Sequence, residues 1–250
     1  MDAVLLVSAI AVVAALGTAV VTLRDRHRPG PARPVAAMLL LAALWTTIGL
    51  LVGLVDGQGA KLAVFRLIFP VGGLLAASVL WHAAVLTGRR SRFLRRGLTV
   101  LAVEPAMVTV AALTDPAHDL LVAHASLDGG VLRLDFGPLA WVHIAWCLGL
   151  VCLAVAAMLS AMREAVPAHR ARYAVAVIAL GFPLIGAILS LQSASTAGVA
   201  DFTGALSVVT AAVWWWTGRH WSATIGVPIS VGQVLAAVGD AIVVIDTGGR

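Results

Sequence analysis

Of 250 residues, 61% are hydrophobic and only 12% are charged, and the mean hydropathy is +1.00. A soluble chain of this length needs far more charge to cover its surface, so the composition defines an integral membrane protein. Seventeen Lys and Arg against twelve Asp and Glu give a pI near 10.5, but the basic residues stand in short loops between apolar runs. They form no base-reading face, which argues against nucleic acid as a partner.

In chain order, "MDAVLLVSAIAVVAALGTAVVTLRDRHRPG" carries Asp2 and no basic residue before its apolar run, with the arginines after it. A secretory signal has the reverse charge order and a shorter core, so this is a spanning helix. A hydrocarbon layer near 30 Å takes about 20 helical residues. Seven runs approach that length: 3–23, 34–54, 62–87, 98–113, 138–162, 173–191 and 203–217. Between the fourth and fifth lies "TDPAHDLLVAHASLDGGVLRLDFGP", where the "LDGG" turn before the alternating "VLRLDF" predicts a hairpin lying over the bundle. Cys147 and Cys152 share one apolar helix on different sides and cannot bridge, so no disulfide or metal framework is expected. "GFPLIG" predicts a kink in the sixth span. Trp214, Trp215, Trp216 and Trp221 read as an aromatic belt at the headgroups.

The loops set the orientation. Arg24, Arg26, Arg28 and Arg33 follow the first span, Arg89 to Arg96 the third, Arg163, Arg170 and Arg172 the fifth, and Arg219 the seventh. The alternate loops hold Lys61 and Arg133 against Asp56, Asp115, Asp119, Asp128, Asp135 and Asp201. The basic bias places the amino terminus outside and the carboxyl terminus in the cytoplasm. The fold class is therefore an all-α membrane protein, a seven-helix bundle with a small extracellular hairpin between helices four and five. The bundle occupies 1–217 and a juxtamembrane linker 218–232. The closing residues 233–250, within "VLAAVGDAIVVIDTGGR", read as the truncated start of a cytosolic domain.

"AKLAVFRLIFPVGGLLAASVLWHAAVLTGRRSRFLRRGLTVLAVEPAMVTVAALTDPAHDLL" resembles the third and fourth helices of the seven-helix amino-terminal region of bacterial histidine kinases. The elements that carry the likeness are Ala60–Lys61, Thr87–Gly88–Arg89, Pro105, and Thr114–Asp115 with His118. "FGPLAWVHIAWCLGLV", "RYAVAVIALGFPLIGAILSL" and "ADFTGALSVV" are similar to the family's fifth, sixth and seventh helices. The closing residues resemble the entry of a PAS-type module. The resemblance implies a relay to a kinase, a diguanylate cyclase or another output, and dimerisation of the parent receptor.

Ionisable side chains at membrane depth each need a reason. His82 near the inner end of the third span and Glu104 in the fourth are expected to share a depth on neighbouring helices and to pair, with Pro105 freeing a carbonyl close by; the alternative is a Glu104 that only ties helices together. Arg66, His143 and Asp201, with His118 above them, are expected to line an outward-facing polar cavity for an anionic or zwitterionic ligand, Arg66 serving as the fixed cation. Against that stands snorkelling of Arg66 to the headgroups. Asp115, His118, Asp119 and His124 carry donor atoms for a metal but lack cysteines or fixed spacing, and read as a solvated loop. Arg219, Pro228, Gln233 and Asp246 are the expected signal relay.

The expected function is a membrane-embedded sensory input module that answers to an extracellular or intramembrane stimulus and drives a cytosolic output domain. Its partners are the bilayer, a small-molecule or membrane ligand and that output domain; no cofactor is expected. A transporter or channel is the alternative, since buried charge beside proline also suits a pathway. A retinal protein is excluded chemically, because the seventh span has no lysine for a Schiff base. No phosphoacceptor helix or nucleotide site appears, so this stretch is read as non-enzymatic.

Overall fold

The computed structural model describes residues 3–24, 29–88, 90–128, 131–165, 167–196 and 203–224. Over these residues, α1 (Ala3–Arg24), α2 (Pro29–Leu54), α5 (Arg90–Thr114), α6 (Pro138–Glu164) and α9 (Thr203–Thr224) are continuous rods. Two further rods are broken: α3 (Gln58–Arg66) runs on as α4 (Ile68–Leu86), and α7 (Pro167–Ala179) as α8 (Gly181–Thr196). Pro70 and Pro183 lie just past the two breaks, and Leu67 and Leu180 donate back three residues, to Val64 and Val177. A proline lacks the N–H that would continue the ladder, so the sixth span kinks at "GFPLIG" as expected.

The seven rods follow the seven apolar runs, with shifted ends. The fourth starts at Arg90 rather than 98, and the seventh continues through Arg219 to Thr224, so the first residues of the expected linker are helical. By length and apolarity alone, five stretches among the described residues suffice to cross a membrane: Leu5–Arg24, Ala32–Leu54, Gln58–Leu86, Pro138–Glu164 and His169–Leu189. α5 is held back by its arginines and Glu104; in α9 the tryptophans contribute little hydropathy.

Helical backbone bonds lie within each rod, and the carbonyls freed at the α7–α8 break, Ala176 O and Ala179 O, accept from Trp214 and Thr210 of α9, since lipid offers no partner. Val13, Val110, Leu113, Leu153 and Ile178 point outward and exposed, a pattern that suits lipid and not water. The main core cluster joins Met38 and Leu39 of α2, Val79 and Ala83 of α4, Met158 of α6, Leu180, and Trp214 of α9. α2 and α4 are central: α2 packs on α1, α4 and α9, and α4 packs on α5 and α6.

Strands β1 (Val122–Asp128) and β2 (Val131–Phe136) pair antiparallel, with Leu127 opposite Leu132 and Asp128 opposite Val131. This is the hairpin expected at "LDGG". Its inward side chains Val122, Leu132 and Phe136 join Phe65 and Phe69 in a second core cluster. Gln58 Nε2 donates to Ala125 O at 2.6 Å and ties β1 to α3. Gly137 admits no side chain, because a Cβ there would lie 2.3 Å from Leu120 O where β2 turns into α6.

Candidate functional site

Under the hairpin, Arg66 ends α3. Its Nε donates to Asp115 Oδ2 at 2.8 Å, and the Asp115 side chain is fully buried. Asp115 Oδ1 accepts from Leu121 N at 2.7 Å, while Asp115 O accepts from the backbone N–H groups of His118 and Asp119. One carboxylate thus stitches α3, the end of α5 and the entry to β1. Arg66 neither lines an outward-facing cavity as its fixed cation nor snorkels to the headgroups; it is paired with Asp115. A charge at the end of one span met an opposite charge at the end of the next, and burying the two together satisfies both. His118 stays on this clasp, with Nε2 2.9 Å from Thr114 Oγ1 and Nδ1 accepting from Leu120 N at 3.3 Å. Lys61 donates to Val52 O at 2.8 Å and so caps the last turn of α2.

Deeper in the bundle, Glu104 Oε1 lies 2.5 Å from His143 Nδ1 of α6, a separation that requires a proton between them. His143 Nε2 faces Cys147 Sγ, one turn along, at 3.6 Å. The expected His82–Glu104 pair does not form. Opposite Glu104 stands Gly73, where a Cβ would approach Oε2 to 2.7 Å. His82 is nine residues further along the same rod, about 13 Å deeper at 1.5 Å per residue. The neighbour assumed for α5 is correct; the depth is not. Gly72 likewise makes room, since its Cβ would meet the Trp45 ring at 2.8 Å and His143 Nε2 at 3.4 Å. Glu104 Oε2 is buried with no partner among the described residues, a costly state at this depth that marks the pair as more than packing.

His143 also forms one wall of a cavity of about 280 Å³. The other walls are Trp45 of α2, Phe69 and Ala76 of α4, Leu148 of α6, Leu184 and Ala187 of α8, and Ser207 of α9, under a lid of Leu134 and Phe136 from β2. The lining is almost wholly apolar, so the polar cavity expected around Arg66, His143 and Asp201 is not what the helices build. Arg66 does not line it, and Asp201 lies outside the described residues. Leu148 and Leu184 line the cavity and are also exposed; α6 and α8 do not pack along each other. The cavity therefore opens sideways between α6 and α8.

At the opposite, basic end, His82 stacks on Trp214 with ring centroids 4.1 Å apart and planes 12° apart. Trp214 is 2% exposed and its Nε1 donates to Ala176 O at 3.1 Å. It is core and not belt, because its position on α9 faces α4 and α7. Trp216 on the next face is exposed, as a belt residue would be. Arg219 lies over the Trp215 ring at 5.2 Å. The other relay candidates, Pro228, Gln233 and Asp246, lie outside the described residues.

A bundle of apolar rods with outward-facing leucines and valines defines a multi-pass membrane protein. The chain matches the N-terminal 7TM region of histidine kinase over residues 4–220 and belongs to that family. This is a sensory region and is not catalytic by itself. No curated protein and no solved structure matches the chain.

Proposed function

We propose that the chain is the input half of a receptor whose output half, a histidine kinase or diguanylate cyclase, lies in the cytoplasm beyond a linker at 218–232 and a PAS-like domain starting near 233. The arginine distribution supports an amino terminus outside, a carboxyl terminus inside and the hairpin on the outer face. The stimulus is a membrane-soluble amphiphile that enters between α6 and α8, lays its apolar body against Phe69, Ala76 and Leu148, and sets a polar group against His143. The observation that carries this reading is the apolar cavity of about 280 Å³ with a side opening to lipid and, in its wall, His143 hydrogen-bonded to Glu104 behind it. Apolar lining with few polar groups is how small-molecule sites are built. α9 shares the cavity through Thr203 and Ser207, so an occupant acts directly on the rod that leads to the output; selective binding then shifts a two-state balance.

The test joins the sensor to a kinase reporter in membrane vesicles and titrates apolar amphiphiles of graded length. Reporter activity should depend on the amphiphile, and Ala76→Phe, which fills the cavity, should lock it at one level. A response that survives Ala76→Phe and Ala187→Trp unchanged removes the cavity from the reading. A reporter blind to every membrane and ligand condition removes the sensor.

A further inference from the structure

What the stimulus must present to the cavity wall follows from the Glu104–His143 pair, provided that the cavity is the sensory site. Gly72, His143 and Cys147 line the cavity, while Glu104 and Gly73 stand behind it; all five are among the described residues. Glu104 Oε1 and His143 Nδ1 share one proton at 2.5 Å. With no other proton, the pair would be an anion whose second oxygen, Oε2, is buried and without a partner among the described residues. Apolar surroundings penalise that state heavily. A second proton makes the pair neutral overall. On Oε2 it would be an O–H donor lacking an acceptor, and the short bond would relax toward the roughly 2.9 Å of uncharged partners. On Nε2 it faces Cys147 Sγ at 3.6 Å, a weak acceptor. His143 Nε2 is therefore a donor, and a poorly satisfied one. Gly72 keeps it within reach of the cavity, since a Cβ there would lie 3.4 Å from Nε2. Ser207, on the α9 wall, spends its own proton on Thr203 O at 2.7 Å.

We infer that the cavity selects an uncharged apolar molecule bearing a carbonyl group, such as a ketone, ester or lactone. The carbonyl oxygen accepts from His143 Nε2 in place of Cys147 Sγ. An alkane of equal length leaves that donor on sulfur. An alkylammonium brings donors alone, and a fatty carboxylate brings an unbalanced charge, so both are disfavoured. A volume of about 280 Å³, at the small end of ligand sites, suits one chain of medium length.

The whole chain is placed in phosphatidylcholine nanodiscs, and labelled undecane, methyl nonyl ketone and undecylammonium are partitioned between loaded and empty discs. Relative to empty discs, the ketone should be retained about tenfold or more over undecane, the worth of one strong hydrogen bond. Undecylammonium should not be retained. The bound ketone's carbonyl stretch should move to lower frequency. In Glu104→Leu/His143→Phe, which replaces both partners by apolar groups, the ketone should fall to the level of undecane and the infrared shift should vanish. Equal retention of ketone and undecane by the wild type overturns the carbonyl; the cavity reading survives if Ala76→Phe abolishes that retention and falls otherwise. Retention of none of the three overturns both. Retention of undecylammonium over the ketone means that Nε2 accepts, and also overturns the inference. Should the double variant fail to fold, NMR of isotope-labelled histidine in the wild type decides, with His143 identified by its contact with labelled cysteine. A protonated Nε2 whose signal moves on adding the ketone supports the inference, and a bare Nε2 overturns it.

Discussion

Replacing Asp115 by Ala removes the buried carboxylate that receives Arg66 Nε at 2.8 Å and Leu121 N at 2.7 Å. Breaking a buried ion pair by deleting one partner costs about 3–5 kcal/mol, because the remaining charge is stranded. The Leu121 N–H loses its acceptor as well, and an unmet buried donor alone is worth about 1–3 kcal/mol. These overlap, so about 4 kcal/mol is the expected loss, or about 8–16 °C in Tm for a chain of this size. Arg66→Met should cost a similar amount. The double variant should cost at least about 2 kcal/mol less than the sum, since neither charge is then left alone. Thermal unfolding in detergent, followed by tryptophan fluorescence, reads all three. A shift below about 2 °C for Asp115→Ala, or strict additivity in the cycle, would refute the argument that the clasp under the hairpin is energetically one unit.

Gly73→Ala places a methyl 2.7 Å from Glu104 Oε2 and 3.3 Å from Pro105 Cγ; the expected loss is about 1–3 kcal/mol, largely relieved in a Glu104→Ala background, and equal loss in both backgrounds would assign it to Pro105 instead. Gly204→Ala meets Thr46 Oγ1 at 2.3 Å and the Thr46 backbone nitrogen at 3.0 Å. Because backbone cannot step aside, Thr46→Ala should rescue it only in part, as read by unfolding or by cross-linking α2 to α9. For orientation, a cysteine placed at Ser126 in β1 should react with a membrane-impermeant maleimide on intact cells, and one at Ala168 only after permeabilisation. The reverse pattern would invert the bundle and remove the cytoplasmic tail.

The rods, the hairpin and the break at Leu180 were legible because each follows from local rules: apolar length, turn glycines, and a proline that cannot donate. Side-chain partners were not, because they depend on depth within a rod. The expected His82–Glu104 pair has the correct neighbouring helix, yet α5 begins at Arg90, and that longer helix sets Glu104 level with Gly73 and with His143 on α6 instead. A usable signal was present: the pair Gly72–Gly73 in mid-helix leaves a gap, and a gap in one rod marks where a bulky or charged group of another must lie. Arg66 and Asp115 both stand out in the sequence, in separate roles. Opposite charges at adjoining ends of successive spans carried the hint that they belong together. Trp214 departs from the belt expectation because consecutive residues on a helix point about 100° apart, so only some of a run of tryptophans can face lipid.

The break in the α7–α8 rod leaves two carbonyls without their usual donors. Pro183 has no N–H to offer Ala179 O, and Leu180 N turns to Val177 O and abandons Ala176 O. Both vacancies are filled from α9: Thr210 Oγ1 donates to Ala179 O at 2.6 Å, and Trp214 Nε1 to Ala176 O at 3.1 Å. The kink and the last rod are therefore bonded to each other at two adjacent turns, and His82 stacked on Trp214 closes that joint from the α4 side. Beyond the break, α8 supplies Pro183, Leu184 and Ala187 to the large cavity, and α9 supplies Thr203 and Ser207, where apolar packing replaces directed bonds. Sliding α9 along its axis would break two buried hydrogen bonds at about 1–3 kcal/mol each. Tilting it about Thr210 and Trp214 would keep both. A rod of 22 residues is about 33 Å long and stiff, so a push on Ser207 reaches Arg219 as a lever movement about that joint, in the opposite direction.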